Sequence, residues 1–323
     1  MKAIRIHATG GPEVLQYEDT GVPKPGPRQA LVKIEAAGVN FIDIYFREGL
    51  YKAELPFTNG QEAAGTVAEV GAEVSEVKVG DRVAYTSVPG SYAEYAAVPA
   101  DRLVKVPGGV ETRTAAAIML QGMTVHYLTH STFAVQPGQT VLIHAAAGGV
   151  GLTLVQVAKM RGARVIGTCS TNEKAERVRQ AGADEVILYS EKSFEEEVKR
   201  LTEGRGVDVV YDSVGKDTWE GSLNCLRPRG MMVTFGNASG PVPPVPPLTL
   251  TAKGSLFMTR PSLIHYIAQR EELEKRSSDL FAWLQSGKLK VHIGGEFPLA
   301  QAAEAQTRLA SRLTSGKLLL IPG

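Results

Sequence analysis

Residues 139–159, QTVLIHAAAGGVGLTLVQVAK, decide how this 323-residue chain folds. Val141–Ile143 is a short apolar run, Ala146–Gly151 is rich in glycine, and Leu152–Met160 has an apolar helical repeat. The pattern predicts a buried strand, a tight turn and a helix. Such a turn lets the backbone approach a phosphate closely, and the first N–H groups of the helix face its charge. Ala146 replaces the first glycine of the common G-x-G-x-x-G pattern, so the surroundings of the motif also count.

Apolar, β-branched runs recur from the strand before this turn onward. They begin near Thr140, Arg164, Glu185, Val207, Gly230 and Ser255, between 21 and 25 residues apart. Each interval has room for one strand, one helix and two loops, so the spacing predicts an α/β fold with a doubly wound, parallel, six-stranded sheet of the Rossmann type. In this setting we interpret the turn as a dinucleotide-binding turn, although a glycine-rich turn without a ligand is the alternative.

The remaining segments differ in pattern from residues 122–260, which hold the six βα units. Residues 1–121 carry short strand-like runs separated by glycine and proline, which is typical of a turn-rich β unit. Residues 261–323 contain a predicted helix at Ser262–Leu284 and predicted strands at Leu289–Ile293 and Leu318–Ile321. We expect the first and last segments to form one domain around the inserted α/β domain. The proline-rich residues 240–248 are interpreted as a stiff connector, with a polyproline ligand as the alternative.

The composition excludes several other kinds of protein. With 35 Lys and Arg residues, 34 Asp and Glu residues and a net charge of +1, the chain has no electrostatic footprint for nucleic acid or an anionic membrane. Cys169 and Cys225 are the only cysteines and cannot form a disulfide framework or a four-thiolate zinc site. We interpret both as small buried hydrophobes. We expect a cytoplasmic protein without a membrane span, and small molecules as its partners.

The choice of cofactor depends on the tip of the second predicted α/β strand. An enzyme that uses NAD commonly carries an acid about 20 residues after the glycine turn, where it binds the ribose 2′-hydroxyl. Here the strand Arg164–Thr168 is followed by Cys169, and then by Ser170, Thr171 and, further on, Lys174. Two hydroxyls and a cation suit a 2′-phosphate and therefore favour NADPH. In the alternative interpretation, Ser170 only caps a helix and Lys174 is a surface charge.

Further segments match one known family in order along the chain. They are Gly10–Leu15 (GGPEVL), Gly38–Asp43 (GVNFID), Glu62–Gly65 (EAAG), Val79–Val83 (VGDRV), Gly138–Lys159, Tyr211–Gly215 (YDSVG) and Thr259–Ser262 (TRPS). On these motifs the chain resembles the quinone oxidoreductase and zeta-crystallin branch of the medium-chain dehydrogenases/reductases. The resemblance implies a GroES-like β domain, a Rossmann domain and a cleft for the nicotinamide. It also implies no zinc, because Gly60-Gln61-Glu62 stands where the zinc enzymes have a histidine.

The resemblance also assigns candidate site residues. Those expected to bind the cofactor are Phe41, Ile42, Tyr45 and Tyr127 near the nicotinamide, Gly148, Gly149 and Val150 at the pyrophosphate, Ser170, Thr171, Lys174 and Tyr189 around the 2′-phosphate, Val214, Phe235, Gly236, Asn237, Ala238, Phe257, Met258 and Thr259 on the nicotinamide side, and Arg312. The substrate-pocket candidates are Asn40, Tyr45, Tyr51 and Gln61, and no catalytic residue is assigned. Phe235 and Phe257 could instead be core residues, since both end apolar runs.

The resemblance implies NADPH-dependent reduction of quinones, by hydride or by one-electron transfer. A quinone accepts electrons readily and needs no proton relay, whereas the alternative, reduction of the C=C bond of an enone or alkenal, requires a positioned acid such as Tyr45 or Tyr51. A third hypothesis is that the chain is a crystallin-like or RNA-binding protein. The edge strand predicted at Ser255–Met258 favours a homodimer, with a tetramer left open. We interpret His126 and His130 as packing or surface residues, and His144 as a hydrogen-bonded structural imidazole.

Overall fold

A computed structural model describes all residues from Met1 to Gly323. The chain divides into two compact units. The first combines Met1–Met123 with Tyr266–Gly323, and the second is Thr124–His265.

The amino-terminal part of the first unit consists mainly of antiparallel strands. Its elements are β1 (Lys2–Ile6), β2 (Leu15–Asp19), β3 (Gln29–Val39), α1 (Phe41–Arg47), β4 (Phe57–Thr58), β5 (Glu62–Val70), β6 (Arg82–Thr86), β7 (Tyr95–Pro99), β8 (Val104–Lys105) and most of α2 (Thr112–Tyr127), whose last four residues belong to the second unit. The 11-residue β3 is the central strand, because it pairs antiparallel with both β5 and β7. Helix α2 continues into a π-helical turn at Leu128–Thr132.

The second unit alternates strands and helices. Its elements are β9 (Thr140–Ile143), α3 (Gly149–Met160), β10 (Arg164–Cys169), α4 (Asn172–Gln180), β11 (Glu185–Leu188), α5 (Phe194–Leu201), β12 (Val207–Asp212), α6 (Trp219–Asn224), β13 (Leu226–Thr234), α7 (Pro247–Ala252) and β14 (Phe257–Thr259). The strands form one sheet in the order β11-β10-β9-β12-β13-β14, and every neighbouring pair is parallel. The six-stranded, doubly wound sheet predicted from the spacing is therefore confirmed.

Burial explains why the α/β strands show as continuous apolar runs. Every residue of β9 and of β12 is buried, as expected for central strands of a parallel sheet that is covered on both faces. Leu142, Ile166, Val210 and Met232, from four adjacent strands, belong to one hydrophobic cluster. The free thiols of Cys169 and Cys225 are also buried, which confirms that both are packing residues.

Strand β13 begins four residues before the predicted start at Gly230. The first residues of β13 include Arg227, which is half-buried, and Arg229, which is exposed. Because both are charged, the start of the strand does not appear as an apolar run in the sequence. The Arg227 Nε donates to the Asp208 carboxylate at 2.7 Å, and this ion pair joins β13 to β12 at their amino ends. Of the proline-rich residues 240–248, residues 240–246 connect the segment after β13 to α7, and Pro247 and Leu248 begin α7 itself, so the connector is shorter than we predicted and leads into a helix.

The carboxyl-terminal segment completes the sheet of the first unit. It contains α8 (Leu263–Tyr266), α9 (Arg270–Gln285), β15 (Ile293–Pro298), α10 (Ala302–Ala310) and β16 (Lys317–Ile321). β16 pairs antiparallel with β3 and parallel with β15, which gives the order β15-β16-β3-β5-β6-β8.

Two predictions for this segment were wrong. The single helix over 262–284 is two helices, because the chain leaves the helical path at Ile267, which is buried and whose carbonyl accepts from Arg102 at 2.7 Å. The strand expected at Leu289–Ile293 is instead Ile293–Pro298. Gly294 and Gly295 disguise this edge strand in the sequence, since glycine is uncommon inside strands. No helix of the chain combines the length and the apolar character required to cross a membrane.

Candidate cofactor and substrate sites

The chain passes from β9 into the glycine turn through a residue in the left-handed backbone conformation. Ala145 has a φ of 50°, and the N–H of Ala146 donates to the Thr168 carbonyl at 2.9 Å. The N–H of Gly148 then donates back to the Ala145 carbonyl at 2.9 Å. The turn is thus tied to the end of β10 before the helix begins.

The amino terminus of α3 has the geometry of an anion site. Its first i to i−4 hydrogen bond runs from the Leu152 N–H to the Gly148 carbonyl at 2.8 Å, so the N–H groups of Gly149 and Val150 precede the helical ladder. A Cβ atom on Gly151 would lie 2.4 Å from the Ala145 carbonyl oxygen, so only glycine fits there. These residues fit a pyrophosphate, because the backbone is bare and its free N–H groups carry the positive end of the helix dipole.

Alanine at the first position of the motif is accommodated by the neighbouring strand. A Cβ on Gly167 of β10 would lie only 2.9 Å from the Ala146 Cβ. The missing side chain at Gly167 therefore makes room for the Ala146 methyl group. The sequence contains this compensation, but it is visible only once the register of β9 and β10 is known.

The residues proposed for a 2′-phosphate follow β10 and β11. Thr171 caps α4 by accepting the Lys174 N–H at 3.3 Å, so the interpretation of Ser170 as the cap is wrong. The Ser170 carbonyl accepts from the Ser190 hydroxyl at 2.8 Å. Tyr189, whose side chain is about half exposed, donates its N–H to the Cys169 carbonyl at 3.1 Å. These bonds bring Ser170, Thr171 and Tyr189 together at the carboxyl ends of two adjacent strands.

Lys174 stands in the first turn of α4 beside this group. Burial lowers the pKa of its ammonium, while Cys169 and Glu173 act in the opposite direction. The acid in the same turn, Glu173, accepts from Arg177 at 3.1 Å on the outer face of the helix. The tip of β10 itself ends in Cys169 and presents no carboxylate.

The residues expected on the nicotinamide side lie on two loops that are hydrogen-bonded to each other. The Phe235 N–H donates to the Asp212 carbonyl at 2.8 Å, and the Ala238 N–H donates to the Ser213 carbonyl at 3.2 Å. A Cβ on Gly236 would lie 2.4 Å from the Ser213 carbonyl oxygen, so the loops touch through bare backbone. Val214, Asn237 and the residues between these bonds therefore occupy one joined surface.

The remaining cofactor candidates of the second unit are spread further. Phe257 is 58% exposed and Met258 is 36% exposed, so the interpretation of Phe257 as a core residue is wrong. Both lie with Thr259 on β14, at the edge of the sheet. Tyr127 is buried at the end of α2.

Candidates of the first unit gather on and beside α1. Phe41, Ile42 and Tyr45 belong to this helix, and the Tyr45 ring is 6.3 Å from that of Phe41 and 5.4 Å, edge to face, from that of Tyr51. Tyr45 is buried and its carbonyl accepts the Tyr51 N–H at 3.1 Å. Arg312 follows α10 with a φ of 59°.

A buried ion pair lies below the amino terminus of α1. The Lys317 Nζ donates to the Glu62 carboxylate at 2.5 Å and to the Asn40 side-chain oxygen at 2.7 Å. The Asn40 Nδ2 donates in turn to Glu62 at 2.9 Å, and the second Glu62 oxygen accepts the Leu120 N–H at 2.5 Å. The side chain of Asn40 is thus engaged inside the protein, and Gln61, next to Glu62, is also buried. Sequence reasoning missed Lys317, whose only signal is a cation at the head of the buried run KLLLI.

Asp43 completes the cap of α1 without a cation of its own. Its Oδ2 accepts the Asn40 N–H and the Tyr92 hydroxyl, each at 2.8 Å, while Oδ1 is buried without a partner. Burial raises the pKa of Asp43 to about 7, and nearby Glu62 adds to the rise while Tyr92, Asn40 and Lys317 oppose it. Removing this carboxyl from water favours its neutral form.

The three histidines singled out in the sequence behave as packing residues. The rings of His126 and His130 stack at 4.3 Å in and beside the π-helical turn. His144 is buried and is hydrogen-bonded to Thr168 and Ser222, as predicted. No group of three or more His, Cys, Asp or Glu side chains is arranged to hold a metal ion.

Comparisons with known proteins agree with this architecture. Residues 26–108 match the family model of the alcohol dehydrogenase GroES-like domain, and residues 149–283 match that of the zinc-binding dehydrogenases. The quinone oxidoreductase of Pseudomonas aeruginosa is 49% identical, with 99% of each chain covered. The crystal structure of Escherichia coli quinone oxidoreductase complexed with NADPH has a TM-score of 0.98, 46% identity and complete coverage of both chains. A 2-haloacrylate reductase of Burkholderia is 45% identical over 98% of each chain.

A GroES-like unit and a six-stranded Rossmann unit in one chain define a medium-chain dehydrogenase/reductase. Within that class, the chain belongs to the quinone oxidoreductase family. The resemblance found in the sequence motifs is therefore confirmed.

The buried carboxyl of Asp43 predicts a pH-dependent stability. Its pKa is about 7 in the folded state, above the ordinary value of 3.8. The neutral carboxyl therefore contributes fully to the free energy of unfolding below about pH 4. This contribution falls by about 1.4 kcal/mol per pH unit as the pH rises from there, and it is lost once the pH has passed 7. In urea unfolding at pH 5 and pH 8, Asp43→Asn should lose less stability between the two pH values than the unmodified protein. Asp101→Asn, on the surface of the same unit, is the matched control, and equal losses in all three proteins would refute the assignment.

Proposed function

We propose that this protein is an NADPH-dependent quinone oxidoreductase. The observation that carries the proposal is the pairing of the bare glycine turn at the start of α3 with the segment after β10, which offers two hydroxyls and Lys174. No carboxylate stands at the tip of β10, and Glu173 in the first turn of α4 is paired with Arg177. The proteins of this name from Pseudomonas aeruginosa and Escherichia coli, at 49% and 47% identity, support the same activity. NADPH, when bound, supplies a hydride from its nicotinamide ring.

The residues of the second unit would bind and orient the cofactor. Gly149 and Val150 would hold the pyrophosphate through their backbone N–H groups, and Gly148, whose own N–H closes the turn onto Ala145, would let the backbone come close to it. Ser170, Thr171, Lys174 and Tyr189 would surround the 2′-phosphate, since hydroxyl donors and a cation match a dianion. The joined loops at 213–216 and 235–240 would support the nicotinamide side, where exact placement of the ring matters most for transfer.

In the first unit, we assign Tyr45 and Tyr51 to the walls of the substrate pocket. Their rings pack edge to face, so the two side chains hold each other in place. Flat aromatic walls suit a flat, conjugated acceptor. Asn40 and Gln61 complete the proposed pocket, with Asn40 oriented by Lys317 and Glu62.

The assignment of Lys174 predicts a selective loss of NADPH. Lys174→Ala removes the cation proposed for the 2′-phosphate, which NADH lacks. Steady-state kinetics should show KM for NADPH raised about tenfold to a hundredfold, with KM for NADH changed less than about threefold. Lys199→Ala, an exposed lysine on α5 of the same unit, should leave both constants unchanged. Equal changes for the two nucleotides in Lys174→Ala would remove Lys174 from the site.

A second candidate function is reduction of an activated C=C bond, which the similarity to a 2-haloacrylate reductase at 45% identity favours. Such a reaction delivers a proton to carbon, and Tyr45 or Tyr51 would have to supply it. With NADPH, we expect turnover of 1,4-benzoquinone and 9,10-phenanthrenequinone that survives in Tyr45→Phe and Tyr51→Phe. An enone and 2-chloroacrylate should be poor substrates in the same assay. Turnover confined to the enone or to 2-chloroacrylate would replace the first proposal with the second.

We also propose that the protein is a homodimer. β14 ends the sheet of the second unit with an open edge, and it exposes Phe257 and Met258 there. An apolar edge of this kind is commonly covered by a second copy across a two-fold axis. Sedimentation at micromolar concentration should give twice the 34.5 kDa of one chain. The double variant Phe257→Asp and Met258→Asp should sediment as one chain, whereas Tyr17→Asp on β2 should not change the mass. A monomeric unmodified protein would contradict the proposal.

A further inference from the structure

We propose that Asp212 and His144, joined through Ser222, are positioning residues that hold four cofactor-binding loops of the second unit in one geometry. The inference rests on the proposed binding of NADPH. None of these three side chains is assigned to touch the cofactor. They act on the residues that do.

Asp212 is the centre of the network. It is completely buried at the end of β12, where its Oδ1 accepts the N–H groups of Val214 at 2.8 Å and Gly215 at 3.0 Å. Its Oδ2 accepts the hydroxyls of Thr218 at 2.7 Å and Ser222 at 2.8 Å. Four donors thus share one carboxylate, and each is a neutral N–H or O–H. A buried charge held in this way fixes its partners strongly, because losing any one of them leaves the carboxylate undersatisfied.

The directions of the remaining hydrogen bonds follow from Ser222. Its hydroxyl has one proton, which it donates to Asp212, so it can only accept from the His144 Nε2 at 3.0 Å. His144 therefore carries its proton on Nε2. Burial lowers the pKa of His144, although Asp212 opposes the effect, and a neutral ring leaves Nδ1 to accept the Thr168 hydroxyl at 3.0 Å. The chain of bonds from Asp212 to Thr168 then has one consistent set of donors and acceptors.

Each strand that supplies this network leads directly into a proposed cofactor loop. His144 precedes the glycine turn, and Thr168, whose carbonyl accepts the Ala146 N–H, stands two residues before Ser170. Asp212 precedes Val214 and, through its own carbonyl, accepts the N–H of Phe235 at 2.8 Å. The network therefore joins the turn at the pyrophosphate, the loop at the 2′-phosphate and the loops on the nicotinamide side. A shift in one of them is transmitted to the others through polar contacts that allow only one arrangement.

Asp212→Asn tests the network through its proton positions. The amide presents N–H groups in place of one carboxylate oxygen, so the Ser222 hydroxyl must accept from it and donate to His144 instead. The proton of His144 then moves from Nε2 to Nδ1. ¹⁵N NMR of the imidazole should report Nε2–H in the unmodified protein and Nδ1–H in the variant. The same tautomer in both proteins would show that the bonds do not run as proposed.

Nucleotide affinity tests the positioning role. Calorimetric titration with NADPH should give a Kd about tenfold higher in Asp212→Asn and in Ser222→Ala than in the unmodified protein, and a similar ratio for NADH, because the loops hold parts common to both nucleotides. At saturating NADPH, KM for 1,4-benzoquinone should change less than about twofold. Thr234→Val is the matched control, since its buried hydroxyl, at the end of the neighbouring strand β13, has no hydrogen-bond partner.

Ser222→Ala decides the matter if Asp212→Asn does not fold. A folded Ser222→Ala protein with unchanged Kd would overturn the inference. So would an unfolded one, since the network would then serve folding rather than the placement of loops. A failure of the unmodified protein to bind NADPH would instead refute the proposed function.

Discussion

β9 lies between β10 and β12, and because these strands are parallel, their carboxyl ends meet at one edge of the sheet. A polar side chain at the end of each strand faces a shared, dry space there. Buried polar groups nearly always find partners, and His144, Thr168 and Asp212 find theirs in one network. The order of the strands thus explains why loops that are far apart in the sequence form a single surface. A ligand that spans them meets one rigid edge.

The first unit also depends on buried polar groups, but here the central contact is an ion pair. Glu62 and Lys317 are both buried almost completely, and neither charge has access to water. An isolated charge in such a place would be very costly, so each residue requires the other, and Asn40 and the Leu120 N–H supply further hydrogen bonds. Gly38 makes the arrangement sterically possible, because its Cβ would collide with the Glu62 carboxylate. The amino terminus of α1 is held by Asn40, which both members of this ion pair contact, whereas the contact between the rings of Tyr45 and Tyr51 joins the later part of α1 to the segment that follows it.

Local patterns in the sequence are sufficient to predict most of the strands of the second unit. Its apolar runs are buried on both faces, so their spacing predicts the number of strands and their parallel arrangement. The start of β13, with its arginines, and the start of β15 in the first unit, with its glycines, cannot be recognised in this way. Neither segment is a continuous apolar run. The helix break at Ile267 depends on Arg102, a residue that no local pattern connects with it.

The candidate site divides in the same way. The glycine turn and the missing acid after β10 are local features and can be recognised in the sequence. The partners of His144 cannot, because Ser222 lies 78 residues away and is an ordinary serine in a short helix. Lys317 and Glu62 are 255 residues apart, and their relation appears only when β16 is placed beside β3.

That separation has a consequence for the order in which the protein is made. The second unit is one continuous stretch, Thr124–His265, and can fold as soon as it has been synthesised. The first unit must wait, since β3 receives its neighbour β16 only after the whole second unit has been translated. Until then, the nascent chain has an open apolar strand edge and an unpaired Glu62. During synthesis, a complete second unit therefore precedes a complete first sheet, and the open edge of β3 is available for pairing with other chains until β16 has been made.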